Sequence, residues 1–554
     1  EKALSIGKWD VTDSSSFRRV RGLPAFMHGF LTSIFDSSGV LLPDPDTECI
    51  WAVRQLCYLT HKVERECSPE RVAAAFRQYV ETDRSLMYLP GSIPFGTAES
   101  FRRTSRRLFG DLFQHCDNII ANWGLVPGHG PGAVADSLTP LEKWDFPYWT
   151  DRLEGVFPYW RYAQNLPRVF AHESPVSLED EIPVKVITVP KTQSTPRIIA
   201  IEPSAVQFAQ QGLKNEIYDY VNRSVLSDFI GFTDQSRNQA LAQRASIDGS
   251  LATLDLSEAS DRVHWWLVEQ MLAPFPHLRE FVSSTRSQRA SVPGYGVIPI
   301  TKFASMGSAL TFPIEAIIFT IIAWMGCEAA SDTELSFKSM KGELSVYGDD
   351  IIIPIDSVDC VVDLLEVFGF KVNRRKSFWS GNFRESCGSE YYRGVDVSVV
   401  RLRQDLPTLR SDATELASLV SFRNRLYESG LWMVVKELDP FIAKLIPFHP
   451  SSDISVGLVR QTFLPVEGGT RYNENLHRYE KRLPYLHAHS KEYVVDGEVG
   501  LLKWFSESLR RKEVEDGFSS QERPTAFSIY SRWSARLFTE LRASTNARGI
   551  SFNP

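Results

Sequence analysis

Apolar and polar positions along this chain alternate between a period of two and a period near 3.6, which predicts strands and helices in one mixed fold. Glu48 to Leu59 and Pro69 to Val80 have helical spacing, and Ser68-Pro69 is a start signal. Ile182 to Val189 alternates as a strand, Pro190 to Arg197 turns, and Ile198 to Ile201 continues as a second strand. Ser250 to Leu256 alternates again, with Leu251, Thr253 and Asp255 on one face. Ser257 to Ser260 then turns the chain, so that Asp261 falls in the first turn of a helix carrying Trp265, Trp266, Leu267 and Leu272. The most apolar run, Ala316 to Cys327, is too short to span a bilayer and reads as a buried core helix starting near Thr311. Glu343 to Val346 and Ile351 to Ile355 are strands around Tyr347-Gly348-Asp349-Asp350. Ser357 caps an amphipathic helix that shows Val358, Val361, Leu365 and Phe368 on one face and stops at Gly369. Phe383 to Gly388 opens a further hairpin that closes at Tyr391-Tyr392-Arg393. Leu402 to Leu426, Leu431 to Leu445 and Phe527 to Leu541 read as helices, with Arg532, Arg536 and Arg542 on or near one face of the last, a face that could hold phosphates or be an ordinary solvated one; Pro465 to Glu480 reads as a long loop and Ser544 to Pro554 as a polar tail.

Composition narrows this little. A chain of 554 residues accommodates three or four domain-sized units or one multi-lobed enzyme, and 43% hydrophobic with 23% charged residues is a globular balance. A net charge of −7 carries no global signature of nucleic-acid binding, so such a role would rest on local basic patches and a metal site. Seven cysteines without a Cys-x-x-Cys pair suggest reduced thiols in a cytoplasmic compartment. Glu1 to Asp13 is polar and has no signal-peptide character. His487 and His489 could share a strand face, but read as a solvated pair rather than a zinc site.

Candidate chemistry centres on Asp349 and Asp350. Adjacent carboxylates repel unless a cation lies between them and a partner, and a hard ion such as Mg²⁺ with oxygen ligands fits that need. The plain alternative is an acidic surface turn, which flanking strands this apolar disfavour. Asp255, ending an apolar strand, is costly unless paired or metal-bound and is the third candidate ligand. Lys191 and Arg197 project from the 182–201 hairpin as cations suited to a triphosphate, although turns between strands often carry such residues. Asp261 reads equally as a partner for a sugar hydroxyl and as a first-turn carboxylate favoured by the helix dipole. Ser305-Met306-Gly307-Ser308 is a small-residue loop that lets backbone approach a nucleotide or template. Gly124 to Gly132 is glycine-rich but lacks the Gly-Lys-Ser/Thr ending of a P-loop, and the repeated Phe-Pro-Tyr-Trp at 146–149 and 157–160 suits packing between loops. Arginines 102, 103, 106 and 107 form a helix face that could neutralise phosphates or be paired with carboxylates. The order of these parts is an α+β arrangement, an antiparallel sheet backed by helices with three carboxylates at adjacent strand ends, as in the palm of a nucleotide polymerase.

Residues 234–263, Ser305 to Phe319, YGDD at Tyr347 to Asp350 and FRESCGSEYYRGVDV at Phe383 to Val397 resemble the catalytic (beta) subunit of the levivirus replicases, the RNA-directed RNA polymerases of single-stranded RNA bacteriophages. The resemblance is strong over 188–425, and the FRESCG and RGVDV stretch is what narrows it beyond the wider polymerase class. It implies a right-hand shape: an N-terminal region and fingers over 1–245, a palm over 246–400 with a fingers insertion around 275–303, and a helical thumb and C-terminal region over 401–554. It implies that Asp255, Asp349 and Asp350 hold two Mg²⁺ ions, with Mn²⁺ as a substitute, that Lys191 and Arg197 grip the triphosphate, that Asp261 reads the ribose, and that Lys376 protonates the leaving pyrophosphate. Lys376 also reads as a plain basic loop residue beside Arg374 and Arg375. Where the family has Asn-Gly this chain has Ser308-Ala309, and Pro313 replaces an acid, so Ser308 or Thr311 stands in for the asparagine; Glu258 adds a charge near the metals. The family further implies an RNA template and product, ribonucleoside triphosphates, unprimed initiation at a cytidine-rich 3′ end, host elongation factors Tu and Ts with a ribosomal protein as partners, and the cytoplasm of an infected bacterium. A reverse transcriptase, a metal-dependent nuclease and a non-catalytic RNA-binding protein are the competing readings.

Overall fold

The longest apolar run folds into a buried helix, Thr311–Ser331, in the computed structural model, which describes residues 1–9, 18–140, 142–163, 175–192, 195–454, 457–464, 471–489, 501 and 526–534. This core helix is longer than the apolar run because its polar end, Glu328 to Ser331, continues the same turns. By length and composition it could cross a membrane, yet 83% of its apolar window is buried inside the protein, as in the core helix of a globular fold. Around it pack the Phe95–Ala121 helix through Phe101, Phe109 and Phe113 and the Val358–Val367 helix through Val361 and Leu365, all in one apolar cluster. Burying a side chain of this size is worth about 1.5–3 kcal/mol, so this cluster is the main source of stability for the sheet that rests on it.

That sheet has the strand order Leu251–Leu254, Asp350–Pro354, Ser345–Tyr347, antiparallel throughout. Leu251 to Leu254 is buried on both faces rather than alternating, because Leu251 packs with Leu241 and Ala245 of the Ser236–Asp248 helix while Ala252 and Leu254 join the main apolar cluster. A second sheet joins the predicted basic hairpin, Val184–Val189 with Arg197–Ile201, to the strands Arg289–Val292 and Gly296–Pro299. Its parallel pairing of Val184 with Ala290 ties the hairpin to the 275–303 segment. A third sheet is the Phe383–Ser386 and Ser389–Tyr392 hairpin with Val395–Asp396. The protein is α+β.

Several predicted elements are corrected. The helix expected from Leu402 begins at Ala413, because Leu402 bonds back to the Leu59 carbonyl and the Asp412 carboxylate collects the Thr408 and Leu409 N–H groups. Ser357 stands at the N-cap of its helix without capping it through its side chain. Within the expected 527–541 helix, Ala526–Ser534 is a strand paired antiparallel with the Arg478–His489 strand, from Lys481 opposite Ser534 to His489 opposite Ala526, and this cross-strand ladder overrides the local helical spacing. Arg532 lies in that strand, while Arg536 and Arg542 lie outside the described residues. The expected 465–480 loop contains the strand Arg471–Asn473, and the 544–554 tail lies outside the described residues. The first Phe-Pro-Tyr-Trp is core: Trp149 stacks on Phe157 of the second copy at an interplanar angle of 15°. Arg102 is held by Glu99 and Gln270, and Arg107 by Glu328 and Glu334, so half of that arginine face is paired with carboxylates or amides.

Candidate active site

Strand pairing alone brings the acidic residues together. Leu254 lies opposite Ile351, so the next step of the register sets Asp255 against Asp350. On the other side Tyr347 pairs with Asp350, which leaves Gly348-Asp349 as a two-residue turn. Gly348 has φ of +60°, the left-handed value such a turn needs at its first central position, and a Cβ there would strike the Phe312 ring. Asp349 therefore sits at the tip, and Asp350 one place back in the strand.

The tip faces a cavity of about 860 Å³ with walls of opposite sign. Asp255, Asp349 and Glu315 contribute carboxylates, while Lys191, Arg197 and Lys376 contribute cations. Asp350 is not on this wall: it is largely buried, and its Oδ2 accepts the Cys387 backbone N–H at 3.3 Å. Burial pushes the Asp350 carboxyl up to about 7, and the charges of Asp349 and Asp255 add to the shift. Burial also raises Asp255, helped by Asp349 and opposed by Lys376, Asn373 and Lys191. Glu315 is raised well above the ordinary carboxylate range by burial, with Asp349 and Asp261 adding to it, and its Oε2 is buried without a hydrogen bond. Lys191 is lowered by burial and by Arg197 and Lys376, against the pull of Asp349 and Asp255.

Lys376 is placed by the contacts of Asp255. The Asp255 N–H bonds to Ser377 Oγ at 3.0 Å, the Asn373 amide donates to Asp255 Oδ2 at 2.8 Å, and the Asn373 N–H reaches the Asp255 carbonyl at 2.8 Å. These bonds fold 373–377 over the strand end and put Lys376 on the wall.

Among the described residues no group of three His, Cys, Asp or Glu side chains is gathered closely enough to enclose a metal ion. The donor set nevertheless suits a hard cation. Mg²⁺ is usually held by one or two carboxylates and completed by substrate phosphates and water, and burial together with the neighbouring Asp349 charge raises both Asp255 and Asp350, a setting that a cation would relieve.

Asp261 reaches the cavity by a different route from the one predicted. It lies in a 3₁₀ turn, Ser260–Arg262, and the following helix, Trp265–Leu272, is capped separately by His264, whose ring accepts the Trp266 N–H at 2.9 Å. Asp261 pairs with Lys302 at 3.0 Å and accepts from Ser305 Oγ at 2.9 Å.

The other loop residues are turned elsewhere. Ser308 donates to Gln210 at 3.1 Å and Thr311 to the Ser305 carbonyl at 2.8 Å; both are buried and neither lines the cavity. Gly307, at φ of +134°, packs against the Ala200 carbonyl so closely that any Cβ would overlap it. Its small size serves contact with the basic hairpin rather than room for a nucleotide. Glu258 lines the cavity, but its charge is taken by Arg262 at 2.9 Å and Thr82 at 3.0 Å instead of facing Asp255. Sequence reasoning missed Tyr79, Lys302, Asn373 and Glu315. Only Glu315 carried a signal, as the one charge between Thr311 and Cys327.

Residues 167–437 match the family model described as RNA replicase, beta-chain. The chain is 38% identical over 246 residues to the RNA-directed RNA polymerase beta chain of Enterobacteria phage fr, covering 44% of this chain and 41% of that protein. It is 39% identical over 224 residues to the RNA-directed RNA polymerase beta chain of Escherichia phage MS2, covering 40% and 38%. The chain thus spans about two fifths of the length of the curated relatives it matches. Among solved structures it is similar to the in situ structure of the BmCPV RNA-dependent RNA polymerase at elongation state, with TM-score 0.37 and 12% identity over 59% of this chain and 31% of that one.

Proposed function

We propose that this chain, whose residues 167–437 match the family model described as RNA replicase, beta-chain, is the catalytic part of an RNA-directed RNA polymerase that copies the genome of a single-stranded RNA bacteriophage. The observation that carries this reading is the cavity with carboxylates on one wall and Lys191, Arg197 and Lys376 on another. Phosphoryl transfer asks little of a protein beyond positioning and placed charge, and both signs of charge are needed.

Asp255, Asp349 and Asp350 would hold two Mg²⁺ ions, replaceable by Mn²⁺, which when bound supply a more acidic 3′-hydroxyl and counter-charge for pyrophosphate. Lys191 and Arg197 bind the triphosphate of the incoming nucleotide. Lys376, steadied through Asn373 and Asp255, holds a proton at Nζ and gives it to the departing pyrophosphate. Asp261 accepts a hydrogen bond from a ribose hydroxyl, with Ser305 rather than Ser308 or Thr311 beside it.

In the right-hand description, residues 246–400 form the palm, 1–245 with the 275–303 insertion form the fingers, and 401–554 form the thumb. Support for that division comes from the sheet shared by the 184–201 hairpin and the 289–299 strands. Initiation without a primer at a cytidine-rich 3′ end, assembly with elongation factors Tu and Ts and a ribosomal protein, and action in the cytoplasm of the infected bacterium complete the proposal.

The test uses the full chain with a short RNA ending in CCA, Mg²⁺ and ribonucleoside triphosphates, with and without Tu and Ts. The expected product is a complementary RNA, and Asp349→Asn cuts incorporation by about 10³-fold or more with RNA binding retained. RNA shortening, growth only with deoxyribonucleotides, or full activity in Asp349→Asn would contradict the proposal.

A further inference from the structure

Lys302 has no exposed surface, yet it is an ammonium group and its neighbours are specific. Its Nζ lies 3.0 Å from Asp261 Oδ1 and 3.4 Å from the centroid of the Tyr79 ring, a cation enclosed by a carboxylate and an aromatic face. Ser305 Oγ donates to the same Asp261 oxygen at 2.9 Å, which uses the only proton that hydroxyl has. The Tyr79 hydroxyl, 3.1 Å from Ser305 Oγ, must therefore be the donor in that contact, and a relay runs from Tyr79 through Ser305 to Asp261. Asp83, one turn beyond Tyr79 on the Pro69–Ser85 helix, accepts the backbone N–H groups of Thr301 and Lys302 at 3.1 and 3.0 Å. That helix thus anchors both the backbone and the charge of the segment behind Asp261.

Asp261 is left with one oxygen committed twice and the other, Oδ2, taken by no described residue, while the side chain lines the cavity. We infer that Lys302 and Tyr79 are positioning residues: together with Ser305 they lock Asp261 as an acceptor with one free oxygen turned to the cavity, and so set the preference for a ribose over a deoxyribose substrate. An ionised carboxylate can only accept, so the group it selects must donate, and a sugar hydroxyl does so where a deoxyribose carbon cannot. Burial works against the Lys302 charge, but Asp261, Tyr79 and Asp83 together hold it above its ordinary value, in keeping with a permanent cation. This inference rests on the polymerase reading and adds to it the element that enforces sugar choice from the N-terminal part of the chain.

The experiment measures kcat/KM for a ribonucleotide and for the matching deoxyribonucleotide with the full chain and with Tyr79→Phe, which keeps the ring over Lys302 and removes only the relay hydroxyl. Tyr79→Phe is expected to lower the ribonucleotide value about fivefold, the size of one hydrogen bond, and to leave the deoxyribonucleotide value unchanged. Lys302→Met is expected to lower the ratio further, by about 100-fold, with partial rescue in Lys302→Arg. A purely structural role would lower both values alike, and that outcome, or an unchanged ratio in Tyr79→Phe, overturns the inference alone even if Lys302→Met does not fold. A wild-type chain that joins neither nucleotide overturns the polymerase reading and this inference with it.

Discussion

Asp261 lines the cavity and Asp350 is buried behind the Asp349 tip that faces it; both carry the same group, but their surroundings are opposite. Asp261 has a buried ammonium and a hydroxyl within 3.0 Å, so its charge is balanced by the protein itself. Asp350 has the Cys387 backbone N–H and thiol and, as charged neighbours, the like charges of Asp349, Asp255 and Glu385. A carboxylate balanced internally is fit to be a fixed acceptor. One left unbalanced is fit to receive a cation from outside, and the protein carries the cost of its burial until one arrives.

Removing one partner at each position breaks the comparison most directly. Asp261→Ala strands the Lys302 charge in the interior and is expected to cost about 3–5 kcal/mol in denaturant unfolding. Asp350→Asn removes a repulsion and is expected to leave stability unchanged or raise it by about 1 kcal/mol, measured without divalent ions. Equal losses in both variants would abolish the distinction.

Titration sharpens it further. The folded pKa of Asp350, about 7, lies above its ordinary value of 3.8, so the folded state holds the proton more tightly and stability from this group falls as pH rises between those values. Mg²⁺ held as proposed would compete with that proton. Its stabilising effect is therefore expected to be a few degrees, about 3–5 °C, in thermal unfolding at pH 8 and close to nil at pH 5, and absent at both in Asp350→Asn. A Mg²⁺ effect equal at both pH values would separate the cation from these carboxylates.

The smallest effect concerns Glu315. Burial and two acidic neighbours raise the Glu315 carboxyl well above its ordinary range and so favour its neutral form, which Glu315→Gln mimics in shape and charge; the substitution is expected to change incorporation by less than about threefold. A large loss would mean that the ionised form is used.

Much of this contrast was legible in the residues, and the remainder was hidden for a physical reason. Period and apolarity located the 251–254 strand, the acidic hairpin and the core helix, because each is specified by neighbours within a few positions. Local reading failed at Ala526–Ser534, read as the start of a helix over 527–541, while partners 37 to 53 positions away made it a strand. Local reading named Asp261 and Ser305 but not the contacts that join them to Lys302 and Tyr79. Lys302 and Ser305 meet Asp261 across 41 and 44 residues, and Tyr79 meets Ser305 across 226, separations that no single-sequence pattern encodes. Ser308 and Thr311, near Ser305 in sequence, have hydroxyls that satisfy buried groups instead.

The most direct measurement is anomalous scattering from Mn²⁺ in crystals of the full chain grown with a ribonucleoside triphosphate. Manganese peaks between Asp255 and Asp349, with Lys302 still closed on Asp261, are the predicted result. No peak there, with Lys191 or Lys376 folded onto the aspartates in its place, would contradict the account.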